Sequence, residues 1–433
     1  MKKEWLPFSR PSVGPEEIQA VVDTLSAGWL TTGPRTKEFE AGIARYIGCR
    51  NVVAMNSCTA ALHLALEAIG LRAGDAVITT PMTFAATAET IRYFNAHPIL
   101  VDVDRRTLNI DPGKIEEHIR SRAGRARRDR IKAIIPVHYA GYPCDMDKIM
   151  SIANAHELTV VEDAAHAFPA VYKGTVVGNI GHITCFSFYA TKNITTGEGG
   201  AAVTGNDEWA DRMRIMSLHG ISRDAWKRYT SEGSWYYEIA APGFKYNLTD
   251  VAAALGIVQL RRSDEFWARR SGIARRYTDA FRSLDEVETP FGEGIDDTIG
   301  APGEPLQWKD IAGTRHSWHL YILRLVLGKL EIDRDKFIDE LKQLGIGTSV
   351  HFIPLHIHPY YRETYGYKPG DYPISHGEYQ RIVSLPIYPR MSDADVDRVI
   401  EAVKDVVHRH RKRKSLRKPK SPRNVSTRTR RRQ

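Results

Sequence analysis

Two hydrophobic rhythms alternate along the chain. Short runs rich in Val, Ile and Ala, at residues 51–56, 76–80, 99–103, 131–138 and 159–162, have the length and β-branched content of buried strands. Between and after them, at 59–69, 85–94, 146–156 and 207–218, apolar residues recur at helical spacing. Strand followed by helix, repeated, predicts βαβ units and a mostly parallel α/β sheet with flanking helices. A longer helical stretch is predicted from Thr249 to about Leu284, opening on Leu248-Thr249-Asp250, a plausible capped start. After Pro290 a Gly/Pro-rich segment to about Gly313 follows neither rhythm and reads as a surface loop. Mixed strand and helix patterns return over 318–405. The expected organisation is a large ligand-binding domain over 1–265, a smaller C-terminal α/β domain over 266–408, and a tail over 409–433. The N-terminal segment is available to pack on the small domain. No internal repeat is visible.

Charge changes this picture only at the end. The net charge is +9, but thirteen Lys and Arg and no Asp or Glu lie at or beyond Arg409, so the body carries −4. The tail RHRKRKSLRKPKSPRNVSTRTRRRQ has almost no apolar residue with which to offset the entropy of ordering. It is suited to nucleic acid or an anionic surface, although a solvated extension is the commoner meaning of such a run. Four cysteines without CxxC spacing fit reduced thiols in a cytoplasmic protein and argue against a disulfide scaffold. No stretch has the length and apolarity of a signal peptide or a membrane span.

Three segments carry candidate chemistry. Asn56-Ser57-Cys58-Thr59 stands at a strand-to-helix turn, where free amides at the positive helix end suit a phosphate. Taken alone, an N-cap that binds nothing is commoner. Val160-Val161-Glu162-Asp163 ends a strand on two acids, whose side chains must point to opposite faces. One can meet the core or a neighbouring chain and the next a ligand, where a carboxylate keeps a ring nitrogen protonated. Taken alone, a surface pair at a strand end is the commoner meaning. Lys192 follows an apolar, aromatic strand and precedes a loop crowded with Thr and Gly. A lysine in such surroundings loses proton affinity, which suits it to attack an aldehyde. Most loop lysines are only solvated charges, and the combination is what distinguishes this one. His351, His356 and His358 raise a metal site, but Pro354 and Pro359 among them fit a substrate-lining loop as well, and no metal is expected.

The motifs GWLTTGP (28–34), NSCTAALHLAL (56–66), PMTFAATAETI (81–91) and IIPVHYAG (134–141) occur in that order. VEDAAHA (161–167), FSFYATKNITTGEGG (186–200), KYNLTDVAAALGIVQL (245–260), PLH (354–356) and SLPIYP (384–389) follow. Together, over about 5–408, they resemble the DegT/StrS family of sugar aminotransferases, within the fold-type I enzymes that use pyridoxal 5'-phosphate (PLP). The basic segment 120–130, the loop near 291–312 and the tail lie outside the pattern.

The resemblance implies that Lys192 is the Schiff-base lysine and the proton shuttle, and that Asp163 meets the pyridinium nitrogen. It implies that Phe84 stacks on the ring, that His166 lies near the phenolic oxygen where many members have Gln, and that Cys58, Thr59 and Ser187 grip the phosphate. Cys58 departs from the Gly or Ser more usual there. Asn247 is expected to reach the phosphate in the partner subunit's site, which implies a homodimer with shared active sites. The implied reaction moves an amino group from L-glutamate to a nucleotide-linked keto sugar. Its motifs look most like enzymes acting at C4 of UDP-linked 4-keto sugars; relatives take GDP- or dTDP-linked sugars or act at C3. Two alternatives are sugar dehydration, which relatives with histidine in place of the lysine perform, and a non-catalytic binding protein. The presence of Lys192 and Asp163 disfavours both.

Overall fold

The computed structural model describes residues 4–121, 130–221, 236–290 and 313–412. Two helices come first, α1 (Pro15–Ala27) and α2 (Pro34–Ile47). Each begins on proline and ends at a glycine in the left-handed region, Gly28 at φ 76° and Gly48 at φ 78°. Proline gives up no helix bond at the first position, and glycine takes the left-handed cap without Cβ strain. These boundary signals are present in the sequence even though the apolar rhythm alone does not single the helices out.

The predicted alternation follows. It comprises β1 (Asn51–Met55), α3 (Cys58–Ala68), β2 (Ala76–Thr79), α4 (Ala85–Arg92), β3 (His97–Leu100), α5 (Pro112–Arg120), β4 (Ile131–Ile134), α6 (Met146–Ala155) and β5 (Thr159–Asp163). A short hairpin, β6 (Val171–Tyr172) and β7 (Thr175–Val176), leads to β8 (Ile183–Ser187), β9 (Gly200–Thr204) and α7 (Asp207–Ser217). Seven of these strands form one sheet in the order β1-β9-β8-β5-β4-β2-β3. Six share a direction, and β9 alone runs against its neighbours β1 and β8. Every residue of β2, β8 and β9 is buried, as expected of strands covered on both faces. Neighbouring strand residues serve opposite faces: Val53 packs with Leu62 and Met213, and Val52 with Phe39 and Ile43. The apolar run predicted as strand to residue 138 is regular only to Ile134. It keeps pairing through the amide of Ile135, which donates to Ile78, and through a bridge of Val137 with Asp163. The regular ladder is interrupted at Pro136, which has no N–H to donate. Its carbonyl instead accepts from the amide of Asp163.

The long helix predicted from Thr249 is two helices, α8 (Asp250–Arg261) and α9 (Ser263–Phe281), joined at Arg262. Thr249 caps α8 as expected, accepting from the amide of Ala252. The break follows from packing. α8 lies on α1 and α2, with Ala253 in the large-sheet core, whereas Ile273, Tyr277 and Phe281 of α9 enter a separate core. Arg262 ties the junction to Glu17 of α1 at 2.9 Å. The second core is built on β10 (Val287–Glu288) and β11 (Tyr321–Leu325), then α10 (Arg334–Gln343), α11 (Pro359–Tyr365), α12 (Pro373–Tyr379), β12 (Ile382–Leu385) and α13 (Asp393–His410). β10, β11 and β12 form an antiparallel sheet, and Leu6 from the N-terminal segment joins its core.

The start of the tail needs correction. The expected boundary at 408/409 falls inside α13, which continues to His410. Arg409 pairs with Glu340 at 2.8 Å and Arg411 with Glu286 at 2.7 Å, so these two positive charges belong to the folded body. The rest of the tail, the segment 122–129 and the loop expected at 291–312 lie outside the described residues. Among the described residues no helix is long and apolar enough to cross a membrane.

Candidate active site

β5 ends on Asp163, β8 ends on Ser187, and β1 leads into α3 at Cys58. Because these three strands run in parallel, their carboxyl ends meet at one edge of the sheet, where α/β folds bind ligands. A cavity of about 530 Å³ opens there. Cys58, Thr59, Asp163, His166, Ser187 and Lys192 line it, and Phe84, 64% exposed, stands at its edge beside Phe352. Seven of the eight candidate residues are thus brought together from four separate stretches of sequence.

Lys192 lies in the turn after β8, with its amide bonded to the carbonyl of Tyr189. Removal from water lowers its pKa to about 8. Nearby Cys58 and Asp163 act in the opposite direction. Burial pushes the Cys58 thiol well above its ordinary range, so it stays neutral. A substantial fraction of the lysine is therefore an uncharged amine near pH 8.

Asp163 is held from two sides. Thr87 donates to Oδ2 at 2.7 Å, and the amide of Ala165 donates to Oδ1 at 3.1 Å. Since the Thr87 hydroxyl gives its hydrogen to the carboxylate, its 2.7 Å contact with Thr83 must be one it accepts. The other acid, Glu162, points into the core as strand alternation requires. It is fully buried, with Thr184 and the amide of Gly181 donating to Oε1 at 2.6 and 2.8 Å. His138 donates to Oε2 from Nε2 at 2.8 Å, because its Nδ1 already accepts from the amide of Cys144. Burial alone would raise the Glu162 pKa, but His138 and the other donors outweigh it and hold it below the ordinary value.

At the start of α3, Ser57 accepts from the amide of Ala60, while the first amides, those of Cys58 and Thr59, have no acceptor within the helix. Gly200 lets β9 press against this turn. A Cβ on Gly200 would lie 2.4 Å from the nitrogen of Cys58 and 2.5 Å from the carbonyl carbon of Ser57. The cavity thus offers an amide-lined end, a lysine, and a carboxylate with fixed orientation. Among the described residues the Nδ1 of His166 is buried without a partner, a polar atom still to be matched by a bound molecule. These features fit PLP: the amide end suits its phosphate, Asp163 its ring nitrogen and Lys192 its aldehyde.

Asn247 is the exception among the candidates. It lies outside the cavity of its own chain, donating to Thr32 at 2.7 Å and accepting from Lys245 at 2.6 Å. Other lining residues were missed in the sequence. Phe8, His319, Phe352 and Ile387 reach the cavity from the N-terminal segment and the small domain; Ile387 stands in SLPIYP, and no local motif marks the other three. Of the three histidines considered for metal, His351 lines the cavity and bonds Ser384 at 2.8 Å. His356 is buried beside Tyr372, and His358 contacts the carbonyl of Ile353.

The parallel sheet with a buried lysine and carboxylate at its carboxyl edge defines a PLP-dependent transferase. Comparison with known proteins narrows the class. The model of the DegT/DnrJ/EryC1/StrS aminotransferase family matches residues 11–404, and the chain belongs to that family. It is 50% identical to the Methanocaldococcus jannaschii protein MJ1066 over 95% of this chain and 100% of that one. It is 49% identical to the Bacillus subtilis spore coat polysaccharide biosynthesis protein SpsC, over 94% of this chain and 98% of that one. The PLP form of Spr1654 from Streptococcus pneumoniae, described as a sugar aminotransferase, superposes with a TM-score of 0.80 at 33% identity. That match covers 94% of this chain and 99% of the other. The chain is therefore a PLP-dependent aminotransferase.

Proposed function

We propose that this enzyme transfers the amino group of L-glutamate to the C4 keto carbon of a UDP-linked keto sugar, supplying an amino sugar for envelope or glycan synthesis. The observation that carries the reading is the convergence of Lys192 and Asp163 in one cavity of about 530 Å³, open enough at Phe84 for a large second substrate. The similarity to SpsC, named for polysaccharide synthesis, and to Spr1654 supports a sugar as the acceptor.

Bound PLP supplies the aldehyde that carries the amino group and the ring that withdraws electrons from the reacting carbon. The residues of the chain do the rest. Lys192, a substantial fraction of it uncharged near pH 8, would hold that aldehyde and would serve as the acid and base for the proton moved between the substrate carbon and the cofactor carbon. Asp163, with its orientation set by Thr87 and the amide of Ala165, holds the proton on the ring nitrogen. The amides at the start of α3, with Thr59 and Ser187, bind the phosphate. His166, kept neutral by burial, pairs its Nδ1 with the phenolic oxygen, and Phe84 covers the ring. Asn247 completes the phosphate site of a partner subunit, which makes the working enzyme a homodimer. The division at 265/266 belongs to this reading, as does a cytoplasmic location, where nucleotide sugars are made and used.

Absorption of the PLP-loaded protein tests both halves. The visible band should bleach with L-glutamate and return on addition of a UDP-4-keto sugar. Bleaching without recovery by any UDP-linked keto sugar sinks the acceptor assignment and leaves the donor half standing. A protein that takes up no PLP sinks the enzyme reading.

A further inference from the structure

The side-chain amide of Asn193, next to Lys192 in the chain, is fully engaged. Nδ2 donates to the carbonyls of Phe168 and Ser317, each at 2.8 Å, which accounts for both of its hydrogens. Oδ1 is thereby turned toward Nδ1 of His319, 3.2 Å away. An amide oxygen can only accept, so the contact requires the hydrogen on His319 Nδ1. A neutral imidazole carries a single N–H, and Nε2 is left as a bare acceptor.

The surroundings keep this ring neutral. Burial lowers its pKa well below that of ordinary histidine, and His166, Lys192, Arg270 and His351 nearby lower it further. Its backbone is anchored as well. Nη1 of the buried Arg270 donates to the carbonyls of Trp318, His319 and Ile387 at 3.2, 3.3 and 2.7 Å. The ring packs on His166 with centroids 4.3 Å apart and lines the same cavity as Lys192.

We propose that His319 is a substrate-reading residue: held by Asn193 with Nε2 unprotonated, it accepts a hydrogen bond from a hydroxyl of the keto substrate beside the carbon that receives the amine. The inference rests on the sugar acceptor proposed above. A group that can only accept holds a hydroxyl and rejects a substrate lacking one, because the lone pair is then buried unmatched.

Two measurements test it. The first is the tautomer of His319 in the PLP-loaded enzyme labelled with ¹⁵N-histidine, read by NMR at pH 7 and assigned by comparison with His319→Gln. The expected state is hydrogen on Nδ1 and none on Nε2; an imidazolium or an Nε2–H tautomer overturns the proposal. The second is kinetic. His319→Phe should lower kcat/KM for the keto sugar about ten- to a hundredfold more than for L-glutamate, mainly through KM. His319→Gln, which keeps an acceptor, should recover most of the difference. Equal losses in both half-reactions, or Phe and Gln variants that behave alike, overturn the proposal and leave His319 a packing residue. Wild type is assayed first: if it aminates no keto sugar, the sugar reading fails by itself, and the tautomer still decides what Nε2 is able to do.

Discussion

The Thr87 hydroxyl donates a 2.7 Å hydrogen bond to Oδ2 of Asp163, joining the first turn of α4 to the end of β5. The carboxylate that faces the ring nitrogen is therefore aimed by a residue 76 positions earlier in the chain. Replacing Thr87 by Val preserves shape and removes the donor. We expect PLP to dissociate about ten- to a hundredfold more readily from Thr87→Val, following from roughly 1.5–3 kcal/mol for a hydrogen bond to a charged group. Titration of the stripped protein with PLP measures this, and an unchanged affinity would show that Asp163 needs no such aim.

The lowered pKa of Lys192 sets the pH at which the empty protein takes up PLP. The neutral amine is the attacking form, and it predominates above about pH 8. The rate of appearance of the visible band should rise with pH through a midpoint near pH 8 and then level off, far below the range of an ordinary lysine. A rate still climbing at pH 10 would contradict the burial argument.

Glu162 makes a different prediction, about stability. Its carboxylate has a lowered pKa when folded, so its contribution is fully present above the ordinary carboxylate range. That contribution is lost as pH falls through the lowered value. Glu162→Gln sets an amide N–H₂ against the Nε2–H of His138, which cannot change tautomer while Nδ1 accepts from Cys144. At pH 7 the variant should lose roughly 2–3 kcal/mol in denaturant unfolding. The gap to wild type should narrow as the pH drops below 4. A constant gap across that range would show that the charge is not what matters.

Shared active sites are tested by mixing two crippled chains. Lys192→Ala lacks the lysine, and Asn247→Asp places a negative charge where the phosphate is expected. If Asn247 serves the partner's site, a hybrid dimer holds one site with both defects and one with neither, so activity reappears on mixing. If Asn247 acts within its own chain, every hybrid site is damaged and nothing is regained.

Removing residues 413–433 should leave turnover and melting temperature unchanged, because the ion pairs of Arg409 and Arg411 are retained. Cutting at 408 instead removes both pairs and should lower the melting temperature. Equal melting temperatures for the two truncations would show that those pairs add nothing.

Much was already determined by the sequence. Alternating apolar rhythms dictate a parallel sheet, because a strand buried on both faces and a helix with one apolar stripe can satisfy each other in few other ways. Strand alternation at Glu162 and Asp163 is likewise local, and it sends one acid to the core and the other to the cavity. The Thr/Gly-rich loop around Lys192 marks the lysine for the same reason. Only the tertiary structure decided which distant residues complete the site. The helix written continuously from Thr249 breaks at Arg262 because its halves pack on two different cores, a demand no local pattern contains. His319 reads in the sequence as one more histidine among apolar neighbours. Its tautomer is decided by Asn193, whose hydrogens are taken by carbonyls of Phe168 and Ser317, segments brought together by packing alone.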